Sequence, residues 1–142
     1  MMETIRVDID GRGIATLTLA RAEKHNAMSG QMIAELTEAA GVLGADPGVR
    51  AVILAAEGPT FCAGGDLGWM RAQADADRAT RMAEANKLAM MLRALDRMPK
   101  PLIARVHGNA FGGGVGLLSV CDMAIGTPEV QMGLTETRLG LI

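Results

Sequence analysis

Tyrosine is absent from this chain, and Phe61, Phe111 and Trp69 are its whole aromatic content. A core over 142 residues must therefore be filled by Ala, Leu, Ile, Val and eleven methionines, whose flexible side chains fit irregular gaps. Cysteine is equally scarce. Cys62 and Cys121 stand too far apart for a zinc pattern, and His25 and His107 do not join them at ligand spacing, so no metal is expected. The thiols read as free and buried in a reducing compartment. Charge of one sign is also missing: a net −2 creates no field for attracting nucleic acid. No apolar run approaches the roughly 18 residues of a membrane span. The opening Met1-Met2-Glu3-Thr4-Ile5-Arg6 lacks the basic start and apolar centre of a secretory leader. These absences predict a cytoplasmic protein without membrane or nucleic-acid partners. A hydrophobic content of 49% over this length suits a single domain with one sizeable core.

What is present is strand and helix in alternation. Apolar and polar side chains alternate around Asp10-Gly11-Arg12-Gly13, which predicts a hairpin of Ile5–Ile9 and Ile14–Leu19. Ser29 is placed to cap a helix over 29–43, with Met32, Ile33, Leu36, Ala39, Ala40 and Leu43 on one face. The turn residues of 44–48 break it, and 49–55 reads as a strand. A long helix is predicted over 75–98, with a stripe of Met82, Ala85, Leu88, Ala89, Leu92 and Leu95, ended by Pro99 and Pro101. Leu102–Val106 follows as a buried strand, then a short helix over 113–120 and strands at 123–125 and 130–132. This order argues for an α/β architecture with crossover connections.

Two glycine clusters interrupt the pattern, Gly64-Gly65 within Phe61-Cys62-Ala63-Gly64-Gly65-Asp66 and Gly112-Gly113-Gly114 about fifty residues later. Either cluster alone would mark a tight connection. Together they can bring two backbone N–H groups to one oxygen atom, as in an oxyanion hole, because glycine lets the backbone approach a ligand closely. If the second cluster opens a helix, the unpaired N–H groups and positive dipole end of that helix aim at the same oxygen.

The stretch Val52-Ile53-Leu54 through Gly58-Pro59-Thr60-Phe61-Cys62-Ala63-Gly64-Gly65-Asp66-Leu67, and Pro99-Lys100-Pro101-Leu102-Ile103-Ala104 through Gly108-Asn109-Ala110-Phe111 to Cys121-Asp122, closely resemble the crotonase, or enoyl-CoA hydratase/isomerase, superfamily. The resemblance runs from about Ile14 to the last residue. It implies an α/β spiral of repeated ββα units, although no repeat is visible in the sequence. It also implies an oxyanion hole from Gly65 N–H and Gly113 N–H around the thioester oxygen of an acyl-CoA, with coenzyme A as part of the substrate and no separate cofactor. The family's CoA-binding positions fall on Arg21, Lys24, His25, Ala27, Ala63 and Leu67. A cation at Arg21 or Lys24 would meet phosphate, whereas without the resemblance Arg21-Ala22-Glu23-Lys24 reads as a solvated turn.

Among the acids, Glu136 matches the second of two catalytic glutamates in family hydratases. The first should lie three residues after Gly113, where this chain has Gly116. A two-glutamate hydratase holds its water between the pair, while an isomerase that shifts a double bond manages with one base. The resemblance thus implies a lyase of the enoyl-CoA hydratase kind in fatty acid or branched-chain amino acid catabolism, methylglutaconyl-CoA being one example. A Δ3-Δ2-enoyl-CoA isomerase using Glu136 alone is the alternative. The ending Leu139-Gly140-Leu141-Ile142 falls where family members continue with a C-terminal helical region that covers the acyl pocket and supports trimers. On that reading, 1–142 is an N-terminal core domain whose complete form is a homotrimer or dimer of trimers. An inactive module that binds CoA or a partner chain is the rival class. RNA binding is disfavoured by the charge balance. A nucleophilic hydrolase fares no better, because Ser119 and Cys121 have no His partner. Asp66 and Asp122 read as turn or cap residues, and His107 as a lesser candidate.

Overall fold

The computed structural model describes residues 2–140. Strands β1 (Ile5–Ile9) and β2 (Ile14–Leu19) form the expected antiparallel hairpin, in register from Ile5 opposite Leu19 to Ile9 opposite Ala15. The Asp10 carboxylate shapes the turn by accepting the N–H groups of Arg12 and Ile14 at 2.8 and 3.0 Å. Helix α1 (Gly30–Ala45) starts at Ser29, whose hydroxyl accepts the Met32 N–H at 3.2 Å. All six residues of its expected apolar face are buried, and Glu35 is buried with them.

From there the chain shuttles between two sheets. Strand β3 (Ala51–Ala56) lies parallel to β2, and β4 (Thr60–Cys62) starts a second sheet. Helices α2 (Leu67–Asp75) and α3 (Arg78–Asp96) lead back to β5 (Leu102–Val106) in the first sheet. Strand β6 (Asn109–Phe111) then joins the second, followed by α4 (Gly113–Ser119). The third round is β7 (Met123–Gly126), β8 (Met132–Gly133) and a 3₁₀ helix at Thr135–Leu139. The sheets run β1-β2-β3-β5-β7 and β4-β6-β8, and every pairing after the hairpin is parallel. Each round is one ββα unit, so the spiral that no sequence repeat displays is present in the backbone.

The core packs α1 and one face of the first sheet. Ala15, Leu17, Leu19, Val52, Leu54, Leu102, Ala104 and Val106 alternate inward and are all at most 1% exposed. Aliphatic residues and Met28, Met32, Met91 and Met98 fill it as composition demands, with Phe61 the one buried aromatic ring. Met82, Met90, Met123 and Met132, by contrast, are exposed.

Three expectations change. Helix α2 is an addition, and the helix expected over 75–98 is α3 alone, starting later because Asp77 caps it by accepting the Thr80 N–H at 2.7 Å while Ala76 is extended. A local side-chain bond outcompetes continuation of the helix. The inward stripe of α3 is Leu88, Met91, Leu92 and Leu95, while Met82, Ala85 and Ala89 are exposed. The strand expected over 130–132 is the two-residue β8, and β4 and β6 are strands too short to announce themselves by alternation. Leu141 and Ile142 lie outside the described residues.

Candidate active site

The first glycine turn is built from β4. Phe61 and Cys62 are buried anchors, and the chain then turns through Gly64 at a φ of 103°, a region that side chains avoid. A short bridge to Met28 fixes the next two residues. The Met28 N–H donates to the Gly64 carbonyl at 2.8 Å, and the Asp66 N–H to the Met28 carbonyl at 2.9 Å. In such a parallel bridge the N–H of the intervening Gly65 points away from Met28. No hydrogen bond among the described residues uses it.

The second turn rises from β6 in the same way. Gly112, at a φ of 52°, caps α4, so the N–H of Gly113 is the first of the helix and has no intrahelical partner. The two turns touch. A Cβ on Gly64 would lie 3.1 Å from the Phe111 carbonyl oxygen and 3.6 Å from the Gly113 nitrogen, so only glycine lets them approach. A Cβ on Gly113 would collide with the Met28 methyl, and one on Gly112 with the Glu136 carboxylate.

Gly65 lies between two concavities. One is an open groove of about 700 Å³ lined by Arg21, Lys24, His25, Ala27, Ala63 and Leu67, all six residues expected at a CoA site. Glu23, Asp66 and Gly68 complete it. The other is a pocket of about 150 Å³ that Gly65 shares with Gly113, Glu136 and a set of apolar side chains: Met28, Ile33, Trp69, Met70 and Leu88. Glu136 sits on the 3₁₀ helix, and its Oε2 is buried without a hydrogen-bond partner among the described residues. An unpartnered carboxylate oxygen in an apolar pocket is costly unless something else binds there.

The groove residues differ in how free they are. The Arg21 guanidinium donates to the Ala27 carbonyl at 2.7 Å and to Asp66 Oδ2 at 3.1 Å, so it braces the groove wall. Lys24 is exposed and free of such bonds among the described residues. His25 and Asn26 both have left-handed backbone, at φ of 51° and 53°. Buried Asn26 holds this strained turn by donating to the carbonyls of Glu57 and Thr60 at 2.8 and 2.9 Å and accepting the Arg21 N–H at 2.9 Å. His25 Nδ1 lies 2.9 Å from the Thr60 hydroxyl.

Asp66 is the N-cap of α2, accepting the Trp69 N–H at 3.0 Å. That bond outweighs burial and, with Arg21, holds its carboxyl below the usual carboxylate range. Asp122 accepts the Leu102 N–H at 2.7 Å and so fixes the start of β5. His107 contacts the Gly58 carbonyl at 2.6 Å, away from the glycine pair. Burial pushes the Cys62 and Cys121 thiols up to about 11, and Ser119 donates to the Gly116 carbonyl within its own helix. None of the three is poised as a nucleophile. A Cβ at Gly116 would meet nothing within 4 Å.

The pocket walls Met28, Trp69 and Met70 were not singled out from the sequence, and neither was Asn26. The signal for Trp69 and Met70 is Asp66 itself: a cap right after the glycine turn puts the first helical turn against it.

A spiral of ββα units carrying two apposed glycine turns between a polar groove and an apolar pocket defines a known class of fold and site. The chain belongs to the enoyl-CoA hydratase/isomerase family, which it matches over residues 10–142. It is 34% identical over 134 residues to the mitochondrial methylglutaconyl-CoA hydratase of Mus musculus, covering 94% of this chain and 42% of that protein. The solved enoyl-CoA hydratase of Mycobacterium smegmatis superimposes with a TM-score of 0.92 at 41% identity, covering 98% of this chain and 53% of that one. A second, from Shewanella pealeana, gives 0.95 at 38% identity, with 99% and 53% covered. The chain thus spans about half the length of the relatives it matches.

Proposed function

We propose that the protein binds an acyl-CoA thioester and polarises its carbonyl between the N–H groups of Gly65 and Gly113, so that enolate character at the α-carbon is stabilised. Each such donor is worth roughly 3 to 4 kcal/mol in a transition state. The observation that carries this reading is the contact of the two glycine turns across from the unpartnered Glu136 carboxylate. Glu136 acts as the acid/base group. The groove at Lys24, His25, Ala27, Ala63 and Leu67 takes the CoA moiety. Lys24 meets phosphate there, and Arg21 serves as the brace.

Hydration of a 2-enoyl-CoA is the reaction we assign. The isomerase reading keeps one specific support: Glu136 is the single carboxylate lining the apolar pocket among the described residues, and Gly116 supplies no second one. The exposed apolar side chains of Met123, Ile125, Met132, Leu134 and Leu139 suit an assembled or further packed state, as in a trimer. Calorimetric titration with crotonyl-CoA and with crotonate tests the function. The thioester should bind at least about tenfold more tightly, the groove and the glycine pair both contributing. Equal, negligible binding of the two would remove the assignment.

A further inference from the structure

The two glycine turns are mounted unequally. Gly113 N–H belongs to the first turn of α4, whereas Gly65 lies in the connection between β4 and α2 and takes its orientation from the segment 25–28 beside it. Three backbone hydrogen bonds join the two stretches: Ala63 N–H to the His25 carbonyl at 3.0 Å, Met28 N–H to the Gly64 carbonyl at 2.8 Å, and Asp66 N–H to the Met28 carbonyl at 2.9 Å. A displacement of 25–28 therefore carries Gly65 with it. Segment 25–28 has no helix or strand of its own, so side chains must hold it. Asn26 is fully buried and uses both amide donors on the Glu57 and Thr60 carbonyls, while its oxygen accepts the Arg21 N–H. The Arg21 guanidinium forks between the Ala27 carbonyl and Asp66 Oδ2, clamping one side of the bridge to the other. The left-handed backbone of His25 and Asn26 persists because these bonds over-determine it, and such conformations gather at functional sites.

We propose that Asn26 is the positioning residue of the Gly65 donor, with Arg21 as the second clamp. Both act on the thioester oxygen through the backbone of 25–28 and 63–66. The inference rests on the acyl-CoA reading above and adds to it what preorganises one of the two donors. A donor must already point at the oxygen before charge develops there, because reorienting it during the reaction would consume the stabilisation it gives. A misplacement of about 1 Å is enough to cost on the order of 10²-fold in rate. Asparagine suits the place on two counts: it tolerates left-handed backbone better than most side chains, and its amide both donates and accepts. Aspartate shares the first property and half of the second.

Infrared difference spectra of butanoyl-CoA, isotopically labelled at the thioester carbonyl carbon, read the donor itself, since a hydrogen bond to that oxygen lowers its stretching frequency. Bound at saturation to the wild-type chain, the carbonyl should absorb below its frequency in water. Asn26→Asp should lose most of that shift, and saturation ensures that weaker binding cannot imitate the loss. Arg21→Lys, which keeps the charge but not the fork, should lose a smaller part. Glu35→Gln, which removes stability where the N-terminus docks on α1, should keep the shift whole. If Asn26→Asp fails to fold, seen as a lost cooperative unfolding transition, Arg21→Lys decides. A shift retained by Asn26→Asp, or by Arg21→Lys in its place, overturns the inference and leaves the function reading intact, and so does an equal loss in Glu35→Gln. No shift in the wild type removes the polarised carbonyl, and both readings with it.

Discussion

The two halves of the candidate site are held in different ways. The glycine pair is set in the core: Phe61, Cys62 and Ala110 are fully buried beneath it, and the Met28 bridge and Gly112 cap lock each turn. Glu136 hangs on a 3₁₀ helix of five residues with no buried member, in the same round as β7, whose four residues are all exposed. Under the function proposed above, the two halves answer to different demands of the chemistry. Donors that must meet developing charge without reorganising belong on rigid elements, because preorganisation is the source of their effect. The proposed proton-transfer group instead stands on an element that a further packed state would cover, and its contribution depends on reach and protonation state.

The largest expected effect tests the exposed half. Glu136→Gln should lower turnover of crotonyl-CoA by about 10²- to 10⁴-fold while CoA affinity stays level. Full rates in that variant would show that the carboxylate has been given the wrong role. The rigid half should respond in stability as well as binding. A Cβ on Gly114 would fall on the Cys62 carbonyl oxygen and 3.0 Å from the Cys62 Cβ. Gly114→Ala should therefore cost about 1 to 3 kcal/mol or more in urea unfolding, together with acyl-CoA affinity.

A third substitution asks whether that rigidity reaches the N-terminus. The buried Glu35 carboxylate accepts the N–H groups of Glu3 and Thr4, each at 2.9 Å, the Thr4 hydroxyl and the Gln31 amide. Burial alone would raise its pKa, but these bonds prevail and lower it from its ordinary value of 4.5. A depressed carboxylate stabilises the fold above its unfolded pKa, and the benefit is lost as pH falls through the folded value. Glu35→Gln should destabilise by roughly 1 to 3 kcal/mol at neutral pH, and the gap to wild type should shrink as pH drops below about 4.5. A gap that is constant with pH would count against the carboxylate's role. The smallest effect lies two residues from Gly114. Gly116→Glu meets open space, so stability should be unchanged or raised by up to about 1 kcal/mol from helix propensity. A large loss would mean that α4 is packed more tightly than its surroundings indicate.

Much of this was legible beforehand because it rests on local chemistry. The hairpin, the Ser29 cap and the buried face of α1 follow from side-chain period and a single hydroxyl, whereas the groove residues came only with the family resemblance. Helix α2 was missed because it buries none of its residues and so carries no apolar stripe to announce it. Strands β4 and β6 have three residues each, too few to carry an alternation. Trp69 reads as a lone aromatic until α2 is known to begin at Leu67.

By itself the sequence determined the hairpin, α1 and the longer strands, the glycines at the two turns, the carboxylate at 136 and its absence at 116, since each is a matter of residue type at a position. Only the tertiary structure decided that Gly64 and Gly113 touch, that Gly65 borders both groove and pocket, and that Arg21 is engaged by Asp66 while Lys24 has no such partner among the described residues. Those relations join residues tens of positions apart. They exist because parallel strands stack successive ββα rounds beside one another, bringing the equivalent turn of each round to the same end of the sheet.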